Sequence, residues 1–149
     1  MDKLGKFWRL PWSDQSLLCQ VAFRLSLVSL ALRLLPFSWW RRWLDPKPPS
    51  GSSRAGIGLQ DRAVWAVAVA GRHVPGATCL VQSLVGAEML RRTGHSVEIR
   101  VGVSTSPEQR IRAHAWVECE GRIVLGGADG ASQYTPLPAG TQTSSSMAP

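Results

Sequence analysis

The apolar positions change their period along the chain, and the changes mark the elements. From Ser13 to about Leu35 the chain is apolar almost throughout and uninterrupted by Gly or Pro, which predicts a helix that stops at Pro36. Ser13 is placed to cap it, and Asp14 suits the positive end of its dipole. A second helix is expected from about Leu59 to His73, with Val64, Trp65, Val67, Ala68 and Val69 as its apolar body. Pro75-Gly76 breaks it. A third runs from about Thr78 to Arg92, where Leu80, Leu84, Ala87 and Leu90 recur at helical spacing and Gly94 is the expected left-handed cap.

The period then drops to two. Val97, Ile99, Val101 and Val103 alternate with Glu98, Arg100 and Gly102, a half-buried strand. After a polar loop from Ser104 to Arg110, a second strand spans about Arg112 to Cys119. Glu120-Gly121 turns it, and Arg122 to Leu125 returns antiparallel. Tyr134-Thr135-Pro136-Leu137 is expected to add a last short contact. Helices followed by an antiparallel sheet make an α+β fold.

Composition divides the chain. Pro46-Lys47-Pro48-Pro49-Ser50-Gly51-Ser52-Ser53 reads as a linker. It separates a helical segment, 1–54, from a core, 55–137, and residues 138–149 have the composition of a disordered tail. The net charge of +7 is uneven: residues 1–54 carry nine Lys/Arg against three Asp, whereas 55–149 carry eight Arg against seven acids. The basic character therefore belongs to the Trp-rich N-terminal segment. Trp39-Trp40-Arg41-Arg42-Trp43 resembles the interfacial end of a membrane-leaning helix more than a nucleic-acid surface, so nucleic acid is the disfavoured partner. The first helix is close to bilayer length, but Arg24 and Arg33 lie within it. A charge near the bilayer centre costs about 2.5–3.5 kcal/mol, which argues against spanning. Packing on its own domain or a partner is expected, with a peripheral membrane contact as the alternative.

The three cysteines, Cys19, Cys79 and Cys119, have no paired or metal-binding spacing, so neither a disulfide framework nor a metal is expected, and the cytoplasm is the natural compartment. Cys19 and Cys119 read as core residues. Cys79 is different because it opens the third helix. There, unpaired backbone N–H groups and the helix dipole favour a thiolate and can also hold an oxyanion. On the second strand, His114, Trp116 and Glu118 share one face, while Ala113, Ala115, Val117 and Cys119 share the other. The second set suits the core. His114 then points away from the main apolar face, or into a cleft between sheet and helix, where it is a candidate base for Cys79. Its orienting acid is Asp129 or Glu118. Asp129 is preferred, because Glu118 lies about 13 Å along the strand.

The segments Val74-Pro75-Gly76-Ala77-Thr78-Cys79-Leu80, Leu90-Arg91-Arg92-Thr93-Gly94, Val101-Gly102-Val103 and Ala113-His114-Ala115-Trp116-Val117-Glu118, with Gly121, resemble the leader-peptidase B proteins of lasso-peptide clusters. That family has a transglutaminase-like, papain-like cysteine protease fold. The resemblance covers roughly residues 57–137, and Leu30-Ala31-Leu32-Arg33-Leu34-Leu35-Pro36 is similar to the family's N-terminal helix. It implies a thiol protease that needs no cofactor, with Cys79 as nucleophile and His114 as base. The family's acid usually lies where this chain has Gly126-Gly127, and Asp129 is the nearest acid here. The implied partners are a precursor peptide, a separate leader-recognition protein and a macrolactam synthetase. The alternatives are an acyltransferase on the same Cys–His pair, or a scaffold for a peptide-maturation complex.

Overall fold

A computed structural model describes residues 8, 10–36, 57–105, 111–127 and 134–136. The expected linker, the Trp39–Trp43 cluster, Asp129 and the tail lie outside these residues. Three helices, α1 (Trp12–Leu34), α2 (Ile57–Gly71) and α3 (Cys79–Arg92), precede four strands, β1 (Val97–Thr105), β2 (Ile111–Cys119), β3 (Arg122–Leu125) and β4 (Thr135–Pro136). The order is therefore α+β, as the change of period predicts.

The sheet is antiparallel, in the order β3-β2-β1-β4. Its register sets the faces. Val97 pairs with Cys119 and Ile99 with Val117, whereas Glu98 pairs with Glu118, Arg100 with Trp116 and Gly102 with His114. The first set joins one core cluster with Leu18, Val21 and Leu25 of α1, Ala63, Ala66 and Val67 of α2, and Val81, Val85 and Leu90 of α3. The helices thus cover one face of the sheet, and the face bearing His114 is the other.

Several local expectations survive and two do not. Gly94 (φ 82°) ends α3, and Glu120 (φ 51°) with Gly121 (φ 78°) makes the hairpin turn. Ser13, however, does not cap α1: the helix starts at Trp12 behind Pro11 without a side-chain cap. Ser13 and Asp14 are instead engaged by Arg62 of α2, whose guanidinium donates to both. A tertiary ion pair has taken over the residues that local capping would use. Cys19 is likewise exposed, not core, because the buried stripe of α1 runs through Leu18, Val21, Leu25 and Ser29.

One irregularity shapes the far end of the hairpin. Leu125 pairs with Val117, but Ile123 pairs with Glu118, so β3 holds an extra residue at Val124. The bulge turns Leu125 into the core, where it is buried, and leaves Ile123 exposed. Gly126 then leaves the strand with φ 81°.

Candidate functional site

Cys79 is the first residue of α3 and is half-buried. Thr78 caps the helix: its hydroxyl accepts from the Val81 N–H at 3.4 Å, and its carbonyl accepts from Gln82 at 3.0 Å. The N–H groups of Cys79 and Leu80 have no hydrogen-bond partner among the described residues. Two donors therefore stand open beside the sulfur.

The loop before Cys79 is held from two sides. Ser29 of α1 donates to the Gly76 carbonyl at 3.0 Å, and the Arg33 guanidinium lies against Gly76. Gln82 donates to the Ala77 carbonyl at 2.8 Å. Sequence reasoning missed both groups. A serine at the end of the otherwise apolar stripe 18-21-25-29 was the available sign, since a buried polar group needs a partner.

His114 is buried on β2. Its Nε2 lies 2.7 Å from the Gly126 carbonyl oxygen. A carbonyl only accepts, so Nε2 carries the proton and Nδ1 is the nitrogen left to take one. The ring stacks on Trp116 (centroids 6.3 Å apart, planes 23°) and is tilted against Tyr134 (5.2 Å, 32°). Tyr134 reaches it because β4 pairs with β1 beside Gly102. A Cβ on Gly102 would come within 2.8 Å of both the Trp116 ring and Tyr134 Cβ, so these two residues occupy the space a side chain would fill.

Glu118 is not the orienting acid. It accepts from Trp116 Nε1 at 2.8 Å and sits 3.5 Å from Arg100 Nε. That second contact is an ion pair without hydrogen-bond geometry, since Arg100 Nε is unsatisfied; Arg100 also pairs with Glu98 at 2.8 Å. Of the sequence-expected acids, Glu118 is thus committed elsewhere and Asp129 lies outside the described residues. Among the described residues, the group that holds the imidazole is the main-chain carbonyl of Gly126.

Cys79 and His114 occupy the same end of the molecule. α3 is about 20 Å from Cys79 to Arg92. A four-residue connection sends β1 back along it, so Gly102, about 17 Å up the strand, and its partner His114 arrive level with Cys79. They are not joined: no hydrogen bond links Sγ to the imidazole among the described residues, and strand alternation puts His114 on the face away from α3.

The other cysteines contrast with Cys79. Burial, and then the charge of Glu120, push the Cys119 thiol up from its ordinary range, which keeps it protonated and unreactive. Among the described residues no cluster of His, Cys, Asp or Glu could hold a metal ion.

Comparison with known proteins gives one match. The model of the transglutaminase-like superfamily fits residues 17–139, most of the chain and including α1 from its second turn. No curated protein and no solved structure gives a significant match.

Proposed function

Since the chain belongs to the transglutaminase-like superfamily, whose members are commonly cysteine peptidases and acyltransferases, we propose that it is a cysteine peptidase that removes the leader from a lasso-peptide precursor. The observation that carries this is the capped helix that opens at Cys79 with the N–H groups of Cys79 and Leu80 left open beside the sulfur; a histidine whose Nε2 is tied to main chain, level with it on the other face of the sheet, supports the reading.

In this reading, Nδ1 of His114 takes the Sγ proton and the thiolate attacks the carbonyl of the leader–core amide. The resulting oxyanion lies by the open N–H groups of Cys79 and Leu80. The imidazolium returns its proton to the departing amine, the new N-terminus of the core. Water, deprotonated by the same Nδ1, then hydrolyses the thioester and frees the leader carboxylate. The step needs the His114 side chain, which lies on the sheet face away from α3, to swing past the end of the sheet to Sγ when substrate binds. The Gly126 carbonyl takes the part of the acid by fixing the tautomer. The peptide words around Cys79 and His114 support a leader as the substrate, a separate recognition protein to present it, and a synthetase to cyclise the released amine.

The test is incubation with a precursor and its recognition protein, read by mass. Hydrolysis adds one water to the sum of the products, whereas acyl transfer joins the leader carbonyl to an amine. Cys79→Ala and His114→Ala should each cut the rate on the order of 10³-fold or more with the fold intact. Full cleavage by Cys79→Ala would overturn the proposal and leave a scaffolding role.

A further inference from the structure

α1 is apolar on every side. The mean hydropathy of its best window is 1.7, as high as in helices that cross a bilayer, yet only 22% of that window is buried inside the protein. A helix that is apolar all round is either covered on both faces or faces lipid. Its inner face is accounted for by Leu18, Val21, Leu25 and Ser29 in the core. On the outer side, Phe23, Leu27, Leu30 and Leu34 follow one another at helical spacing, each more than half exposed, with Trp12 exposed at the helix start.

Two features identify what covers them. Arg24 lines the same groove as Phe23 and Leu27, between α1 and α3, and has no ion-pair partner among the described residues; Arg92, also in that groove, is already paired with Glu88. An unpaired guanidinium beside an apolar strip suits a phosphate attached to an acyl chain. In sequence, moreover, Lys3, Lys6 and Arg9 precede the helix, and Trp39, Trp40, Arg41, Arg42, Trp43 and Lys47 follow it. Trp and Lys/Arg at both ends of an apolar stretch mark a membrane–water boundary. A purely apolar protein partner would call for neither.

We propose that the outer face of α1 docks on an anionic lipid surface, with the helix in the plane of the membrane. Phe23, Leu27, Leu30 and Leu34 enter the boundary between headgroups and acyl chains, and Arg24 meets a lipid phosphate. Spanning is excluded in the folded protein, because the inner face of α1 holds α2 and α3. The docked protein keeps Cys79 at the end of a loop that α1 itself braces, so the peptidase site is carried at the membrane surface. The lipid contact stands independently of the reaction assigned to that site.

The test uses the full chain with phosphatidylglycerol-containing vesicles and with neutral phosphatidylcholine vesicles, read by co-sedimentation. The wild type should bind the anionic vesicles and be released by salt. Leu30→Asp combined with Leu34→Asp should weaken binding on the order of tenfold or more with unchanged circular dichroism. Arg24→Gln should weaken it about fivefold. Failure of the wild type to bind, equal binding to neutral vesicles, or undiminished binding by the double variant would overturn the proposal. So would a wild-type dimer that the double variant renders monomeric, since that would assign the face to a second copy. Precursor cleavage in detergent-free solution, measured on the same variants, reports separately on the peptidase reading.

Discussion

The imidazole of His114 donates through Nε2 to the carbonyl oxygen of Gly126 across 2.7 Å, so the main chain orients this histidine. A carbonyl fixes the tautomer as a carboxylate would, but it adds no negative charge to stabilise an imidazolium. Asp129→Ala should therefore retain most of the precursor-cleaving activity. Gly126→Ala should not: a Cβ there would lie 2.9 Å from the Ala115 carbonyl oxygen and 3.1 Å from Trp116 Cα, at φ 81°. Its expected cost is about 1–3 kcal/mol in stability and a larger proportional loss of rate than for Asp129→Ala. Nitrogen-15 shifts of the His114 ring would report the tautomer independently of activity. An Nδ1–H signal in the wild type would contradict the assignment.

Gly102 leaves room for the Trp116 ring and for Tyr134 Cβ, from the two residues that flank His114. Gly102→Ala forces Trp116 or Tyr134 aside, an overpacking penalty of about 1–3 kcal/mol. Thermal unfolding should show that loss. Tyr134→Gly combined with Gly102→Ala should cost less than the sum of the two single changes, because the clashing Tyr134 Cβ is gone.

Ser29 ties α1 to the loop that leads into Cys79. Ser29→Ala leaves the Gly76 carbonyl without that donor and should cost about 1 kcal/mol. The decisive readout is the rate of Cys79 alkylation by iodoacetamide, which should change, while that of exposed Cys19 should not. Identical Cys79 rates in the two proteins would show that the bond holds the helix without positioning the thiol.

Cys119 predicts an alkaline instability. Burial, and then the charge of Glu120, raise its folded pKa above that of an ordinary thiol. The stabilising difference is therefore complete below the unfolded thiol's pKa and is lost as pH rises through the folded one, since only the unfolded chain releases the proton in between. Denaturant midpoints should fall from about pH 8 upward, and the fall should be shallower in Cys119→Ala. A parallel slope in both proteins would place the titration elsewhere.

The elements were readable because each is punctuated locally: Pro36, Pro75-Gly76, Gly94 and Glu120-Gly121 close the runs. The cap of α1 was misread because Arg62, 48 residues from Asp14, claims the polar residues that a local rule would spend on the helix end. Cys19 was misread for a related reason. In a helix with apolar residues on every side, periodicity does not say which side the core takes.

The sequence by itself determined the α+β order, the position of Cys79 at a helix start, and the face of β2 that carries His114, since all of these follow from period and punctuation. Only the tertiary structure decided what surrounds them. A bulge at Val124, invisible as a pattern, precedes the Gly126 carbonyl that meets the imidazole. The pairing of β4 with β1 lays Tyr134 over Gly102. Packing of α1 on α2 and α3 turns Ser29 toward the Cys79 loop and leaves Phe23, Leu27, Leu30 and Leu34 outside. These are contacts between residues far apart in the chain, set by how the layers fit, and local propensity carries no information about them.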